Sequence, residues 1–224
     1  MGRMITFSRP DGGECAAYRA DAGTPGAPGV VVVQEWWGLN DQIRGVADRL
    51  AAAGYDALVP DLYRGKVTLD AAEAAHLMEG LDFVGAARQD LRGAARALKH
   101  DHERVAVMGF CMGGALAILA GVHVPELDAV ISWYGVPPEH ATDARAIKVP
   151  VQGHFALEDE YFPLLMVDAL EKRLMEAGVE HEFHRYDARH AFGNETGPNY
   201  DPDATRRAWE RSLSFLDRRL KRAG

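Results

Sequence analysis

The residues Gly109-Phe110-Cys111-Met112-Gly113 have the form G-x-C-x-G. A run of β-branched and apolar residues precedes them, and a small-residue apolar run follows. That context, strand then turn then helix, is the one a nucleophile elbow needs. Its demand is steric. The nucleophile sits on a tight turn, and glycines two positions to either side let strand and helix approach closely. The turn lifts the thiol above the sheet edge and aims a helix N-terminus at the reacting atom, where a thiolate or oxyanion is favoured. Taken alone, the same five residues also fit a structural turn with an inert cysteine. An elbow requires partners in chain order, acid then histidine, each after a later strand. Asp159 follows the apolar run Val149 to Phe155, and His190 follows His181 to Tyr186. Glu158 and Glu160 flank Asp159, so spacing leaves the choice among three acids open. Cys15 has no such context and reads as a core residue of an early strand.

The elements that must position these groups follow from apolar periodicity. Met4 to Ser8 and Glu14 to Arg19 read as short strands around a Pro10-Asp11-Gly12-Gly13 turn. Gly29 to Gln34 contains four consecutive valines, the mark of a strand buried on both faces. Ile43, Val46, Ala47, Leu50 and Ala51 recur at helical spacing, with Gly54 at the expected C-terminal cap. Further strands are expected over 55–59, 104–110, 127–134, 149–155 and 181–186. Helices are expected over 70–99 with a break near Gly80, over 113–121, from Pro163 in the first turn to near Gly178, and along the stripe Trp209, Leu213, Leu216 and Leu220. Strands alternating with helices predict an α/β fold with a mostly parallel central sheet covered on both faces. Ligands in such sheets sit at the carboxyl ends of the strands, where Cys111, Asp159 and His190 fall.

The sequence resembles the dienelactone hydrolase (carboxymethylenebutenolidase) family of the α/β-hydrolase fold from about Met4 to Leu220. The carriers are Gln34-Glu35-Trp36-Trp37-Gly38-Leu39-Asn40, Pro60-Asp61-Leu62-Tyr63, the cysteine turn with Gly114, Trp133-Tyr134-Gly135 and His190-Ala191-Phe192. The resemblance implies one domain over 1–224 and a triad of Cys111, His190 and Asp159. It implies a glutamate, Glu35, that contacts the resting thiol until substrate releases it. It also implies an oxyanion hole made by the backbone N–H groups of Met112 and Trp36. Met112 is the residue after the nucleophile, as that arrangement requires. The implied activity is hydrolysis of a small lactone or carboxylic ester without a cofactor.

Two departures bear on substrate. Relatives that cleave dienelactone grip its carboxylate with two arginines. The position four residues after the histidine is Asn194 here, and 67–87, after D-L-Y, contains no Arg or Lys. An amide does not replace a guanidinium fork without losing charge-assisted bonds. Trp37, Tyr134, Tyr161, Phe192 and Asn194 are the candidates for lining the substrate pocket.

Composition bounds the alternatives. The 224 residues carry 33 acidic against 25 basic side chains, a net charge of −8, which lacks the basic footprint of a nucleic-acid binder. Two cysteines, Cys15 and Cys111, suit a reducing compartment better than a disulfide scaffold. No secretory signal is visible, and the charge-free stretch 105–125 is broken by glycines, so a cytoplasmic chain outside the membrane is expected. A monomer is expected. His181, His184 and His190 lack the spacing of a zinc site, so no metal is expected. The competing class is a non-catalytic thiol protein, a redox sensor or ligand-binding module on the same fold.

Overall fold

The structure, a computed structural model, describes residues 2–139 and 142–221. Eight strands form one sheet in the order β1-β2-β4-β3-β5-β6-β7-β8. β1 (Arg3–Ser8) and β2 (Glu14–Ala20) make an antiparallel hairpin, and β2 pairs antiparallel with β4 (Asp56–Pro60). From β4 onward every pairing is parallel, through β3 (Gly29–Val33), β5 (Val105–Phe110), β6 (Ala129–Trp133), β7 (Val151–Glu158) and β8 (His181–Arg189). The valine run is β3, buried at every position.

Helices cover both faces. α1 (Asp41–Ala52) and the C-terminal helix α7 (Pro202–Leu220) bury Ile43, Leu50, Phe215 and Leu216 against one face. On the other face α4 (Arg92–Lys99), α5 (Met112–His123) and α6 (Leu164–Glu176) bury Leu98, Leu116, Leu170 and Leu174. The sheet is thus the shared wall of two cores, the covered, mostly parallel sheet expected from the alternation of elements and the α/β-hydrolase fold that the family resemblance implies.

Several boundaries differ from the periodicity. The 70–99 segment is α2 (Ala71–Glu79), capped by Asp70, then α3 (Phe83–Gly85), a π-helical turn (Ala86–Leu91) and α4. Pro163 caps α6 from outside, with extended backbone, and Pro202 is the proline that occupies a first turn. β7 runs on to Glu158 and β8 to Arg189. In β8 the added stretch alternates exposed Asp187 and Arg189 with buried Tyr186 and Ala188, a half-buried pattern that an apolar-run criterion misses. The charge-free stretch is β5, the turn and α5, and among the described residues no helix is long and apolar enough to cross a membrane.

Candidate active site

β5 ends at Phe110 and α5 begins at Met112, leaving Cys111 as the whole turn. Its backbone sits at φ 54°, ψ −118°, outside the regions an L-residue prefers. The flanking glycines explain how the chain tolerates it. A Cβ on Gly109 would lie 1.9 Å from the carbonyl oxygen of Gly113, and one on Gly113 would lie 2.3 Å from that of Val33. β6 supports the turn from the other side. The Cys111 N–H donates to the Trp133 carbonyl at 3.0 Å, and a Cβ on Gly135 would lie 2.2 Å from the Cys111 carbonyl oxygen. Among the described residues four non-glycines have positive φ: Arg64, Cys111, Tyr134 and Ala191. Three of them flank this one place, where backbone strain of this kind concentrates at functional sites.

Asp159 stands at the exit of β7 and His190 just beyond β8. Asp159 Oδ1 accepts the N–H groups of Tyr161 and Phe162, both at 2.9 Å, which fixes the carboxylate. Its Oδ2 lies 2.8 Å from His190 Nδ1, and His190 Nε2 lies 3.2 Å from Cys111 Sγ. Of the three acids in a row, only Asp159 turns inward. Glu158 is exposed and pairs with Arg189 at 3.4 Å, and Glu160 is exposed. The main chain of His190 is also held, since Asn199 Nδ2 donates to its carbonyl at 3.1 Å.

Glu35 follows β3 and is almost wholly buried. Its Oε1 accepts from the Tyr134 hydroxyl at 3.2 Å and its Oε2 from Asn194 Nδ2 at 2.7 Å. Burial raises its proton affinity, while those two hydrogen bonds and His190 oppose the rise. The thiol of the partly exposed Cys111 is within reach of the imidazole rather than bonded to Glu35. Desolvation and then the Glu35 charge push the Cys111 thiol well above its ordinary range, and a hydrogen bond from the Met112 amide works the other way. Both effects favour the neutral thiol over the thiolate, and His190 Nε2 is the group within reach of its proton. Cys15 is different in kind: burial pushes it up to about 12, and it packs in the core.

The candidate pocket residues divide. The exposed Tyr161 has its ring centroid 4.8 Å from that of His190 and 6.4 Å from that of Trp36. Trp37 is half-buried, edge-to-face with Trp36 at 5.1 Å. Tyr134 and Asn194 are buried, with their polar groups engaged by Glu35. Phe192 is in the core, between the rings of Trp133, Tyr134 and Tyr186. His181 hydrogen-bonds the Val179 carbonyl and His184 stacks on His154, so the histidines of β8 do not converge with His190.

Sequence reasoning missed two supports. One is Asn199. The other is a buried network in which His154 bonds Tyr186 at 2.8 Å, Gln152 at 2.9 Å and Ser212 at 2.9 Å, while the Trp133 indole donates to Ser212 at 3.2 Å. It ties β6, β7 and β8 to α7 beneath the site. Its members lie as much as 79 residues apart, so no local pattern announces it.

Comparison with known proteins places this geometry. The model of the dienelactone hydrolase family matches residues 15–220. Protein usf of Aquifex pyrophilus is 33% identical, over 96% of this chain and 98% of its own length. The crystal structure of a dienelactone hydrolase-like promiscuous phosphotriesterase from metagenomic libraries superposes with a TM-score of 0.85 at 26% identity, covering 98% of each chain. The solved structure of m3DLH gives 0.81 at 27% identity, covering 99% of each. With nearly the full length matched by the family model, and the cysteine turn inside the match, the chain belongs to the dienelactone hydrolase family and is a carboxylic ester hydrolase of that type.

Proposed function

We propose that this chain hydrolyses a small lactone or carboxylic ester through Cys111, His190 and Asp159, by way of a thioester. The observation that carries the reading is the unbroken relay Asp159 Oδ2, His190 Nδ1, His190 Nε2, Cys111 Sγ at 2.8 and 3.2 Å. His190 Nε2 takes the thiol proton while sulfur bonds to the substrate carbonyl carbon, and Asp159 holds the imidazole in the tautomer this requires. The oxyanion is met by the amide of Met112 at the start of α5 and that of Trp36 in the loop after β3, each donor worth about 3–4 kcal/mol in comparable sites. On collapse the C–O bond breaks and the alcohol leaves with the proton from His190. Water, deprotonated by His190, then attacks the thioester, which releases the acid and restores the thiol. Net, one water is consumed per ester, with no cofactor in the scheme.

The test is steady-state turnover of p-nitrophenyl acetate, neutral lactones and dienelactone in the presence of EDTA, with Cys111→Ala beside the wild type. Chelator-resistant turnover that falls at least about a thousandfold in Cys111→Ala is expected. Activity retained in that variant, or a thiol that reacts with alkylating agents while no ester turns over, would replace this reading with the thiol-sensor one.

A further inference from the structure

A cavity of ≈ 320 Å³ lies on the α1 and α7 face of the sheet. Its inner wall is a pair of buried rings, Phe110 at the end of β5 and Trp133 at the end of β6, with centroids 5.3 Å apart. Trp209 of α7 stands 6.5 Å from Trp133, and the exposed Tyr200 adds a further ring. Cys111, Asp159 and His190 are not in the lining. The charges at the cavity already have partners. Arg49 lies over the Trp209 ring at 5.6 Å and pairs with Glu195 at 2.9 Å, and Arg206 pairs with Glu210 at 3.3 Å. The volume is at the lower end of the range for small-molecule sites. Rings around it favour a flat aromatic guest. An ionic guest would shed water there without meeting an unpaired opposite charge.

The remaining wall is the segment that follows His190. Gly193, Glu195 and Tyr200 line the cavity, and a Cβ on Gly193 would lie 2.9 Å from the Trp133 ring. The residues between them serve the cysteine site. Asn194 Nδ2 donates to Glu35 at 2.7 Å, and Asn199 Nδ2 donates to the His190 carbonyl at 3.1 Å. One stretch of chain thus walls the cavity and holds two residues of the site. A guest that needs this wall binds the segment when it is closed and not when it is open, so it stabilises the closed form by mass action.

We infer that this cavity is a second binding site, for an uncharged aromatic molecule of one or two rings, and that its occupation secures the segment carrying Asn194 and Asn199. The cavity is apart from Cys111, so binding there does not depend on which ester is cleaved.

Indole is the probe, with indole-3-acetate and tryptamine as its anionic and cationic counterparts, each titrated calorimetrically into the full chain. Indole is expected to bind with a Kd below about 1 mM, and the two ions at least about tenfold more weakly. Tyr200→Ala and Trp209→Leu each remove a wall ring and should weaken indole by at least about fivefold. Tyr200 is exposed, so its removal leaves the core intact. At ten times Kd, hydrogen exchange of the amides over 191–197 should slow by about tenfold. Indole should leave the KM for p-nitrophenyl acetate unchanged. Absence of binding, an ion bound as tightly as indole, or wild-type affinity in both variants overturns the inference. So does unchanged exchange, or competition with p-nitrophenyl acetate. If p-nitrophenyl acetate is not turned over at all, the hydrolase reading fails, and calorimetry and exchange still decide the cavity.

Discussion

At the scale of single residues, the site is arranged so that its sulfur waits as a thiol. Burial is the larger cause, and the charge of Glu35 adds to it. The carboxylate is buried and pinned by Tyr134 and Asn194, and it raises the proton affinity of Cys111. Because a neighbouring anion disfavours the thiolate, removing it must lower the thiol pKa, so a larger thiolate fraction is present at any fixed neutral pH. Glu35→Gln keeps the shape and most of the hydrogen bonds while deleting the charge. Alkylation of Cys111 by iodoacetamide should therefore speed up by about tenfold per unit that the thiol pKa falls, with the midpoint of the rate against pH displaced downward. An unchanged midpoint would show that desolvation alone sets the thiol. The resemblance to the family implies a resting contact between Glu35 and the thiol, yet here the sulfur faces His190 and both carboxylate oxygens have other partners. At the position where the resemblance implies an arginine in relatives that cleave dienelactone, Asn194 instead donates to the glutamate.

At the scale of elements, the elbow shows what was legible and what was not. Gly109 and Gly113 are readable in the sequence because a steric rule ties their spacing to the turn, and the close approaches to the Gly113 and Val33 carbonyls are the physical content of that rule. Gly109→Ala is accordingly expected to destabilise the protein by about 3 kcal/mol, since backbone cannot move aside as a side chain can. Urea denaturation checks this, and a midpoint equal to wild type would mean that strand and helix separate without cost. The chain order of cysteine, acid and histidine was expected from the fold, and the structure brings Cys111, Asp159 and His190 together in that order. Spacing alone left the choice among Glu158, Asp159 and Glu160 open, because it depends on which side chain turns inward at the end of β7, and there the Tyr161 and Phe162 amides receive Asp159. Strand ends were misjudged where exposed charged residues continue the pairing, as at Asp187 and Arg189 of β8. The π-helical turn between α3 and α4 has no signature in apolar spacing.

At the scale of the whole molecule, the strand order decides how far each partner must reach. Cys111 leaves β5, Asp159 leaves β7 two strands away, and His190 leaves β8 at the sheet edge, so the chain after β8 must carry the imidazole back toward the centre. α7 anchors that return. The Thr205 hydroxyl donates to the Phe192 carbonyl at 2.7 Å, the Asp201 amide donates to the same oxygen at 3.0 Å, and Phe215 and Leu216 hold the helix on the sheet. None of this follows from the residues around His190 alone, because the anchors sit on another element. Thr205→Val removes the hydroxyl bond and leaves the amide bond, which is worth about 1 kcal/mol. If the return segment opens as its own unit, the loss falls on that opening: hydrogen exchange of the amides over 191–197 should accelerate about fivefold, and kcat should drop as His190 loses its register, while the global urea midpoint barely moves. If exchange there and the global midpoint instead shift together, the segment unfolds only with the rest of the molecule, and the position of the imidazole is a property of the whole fold.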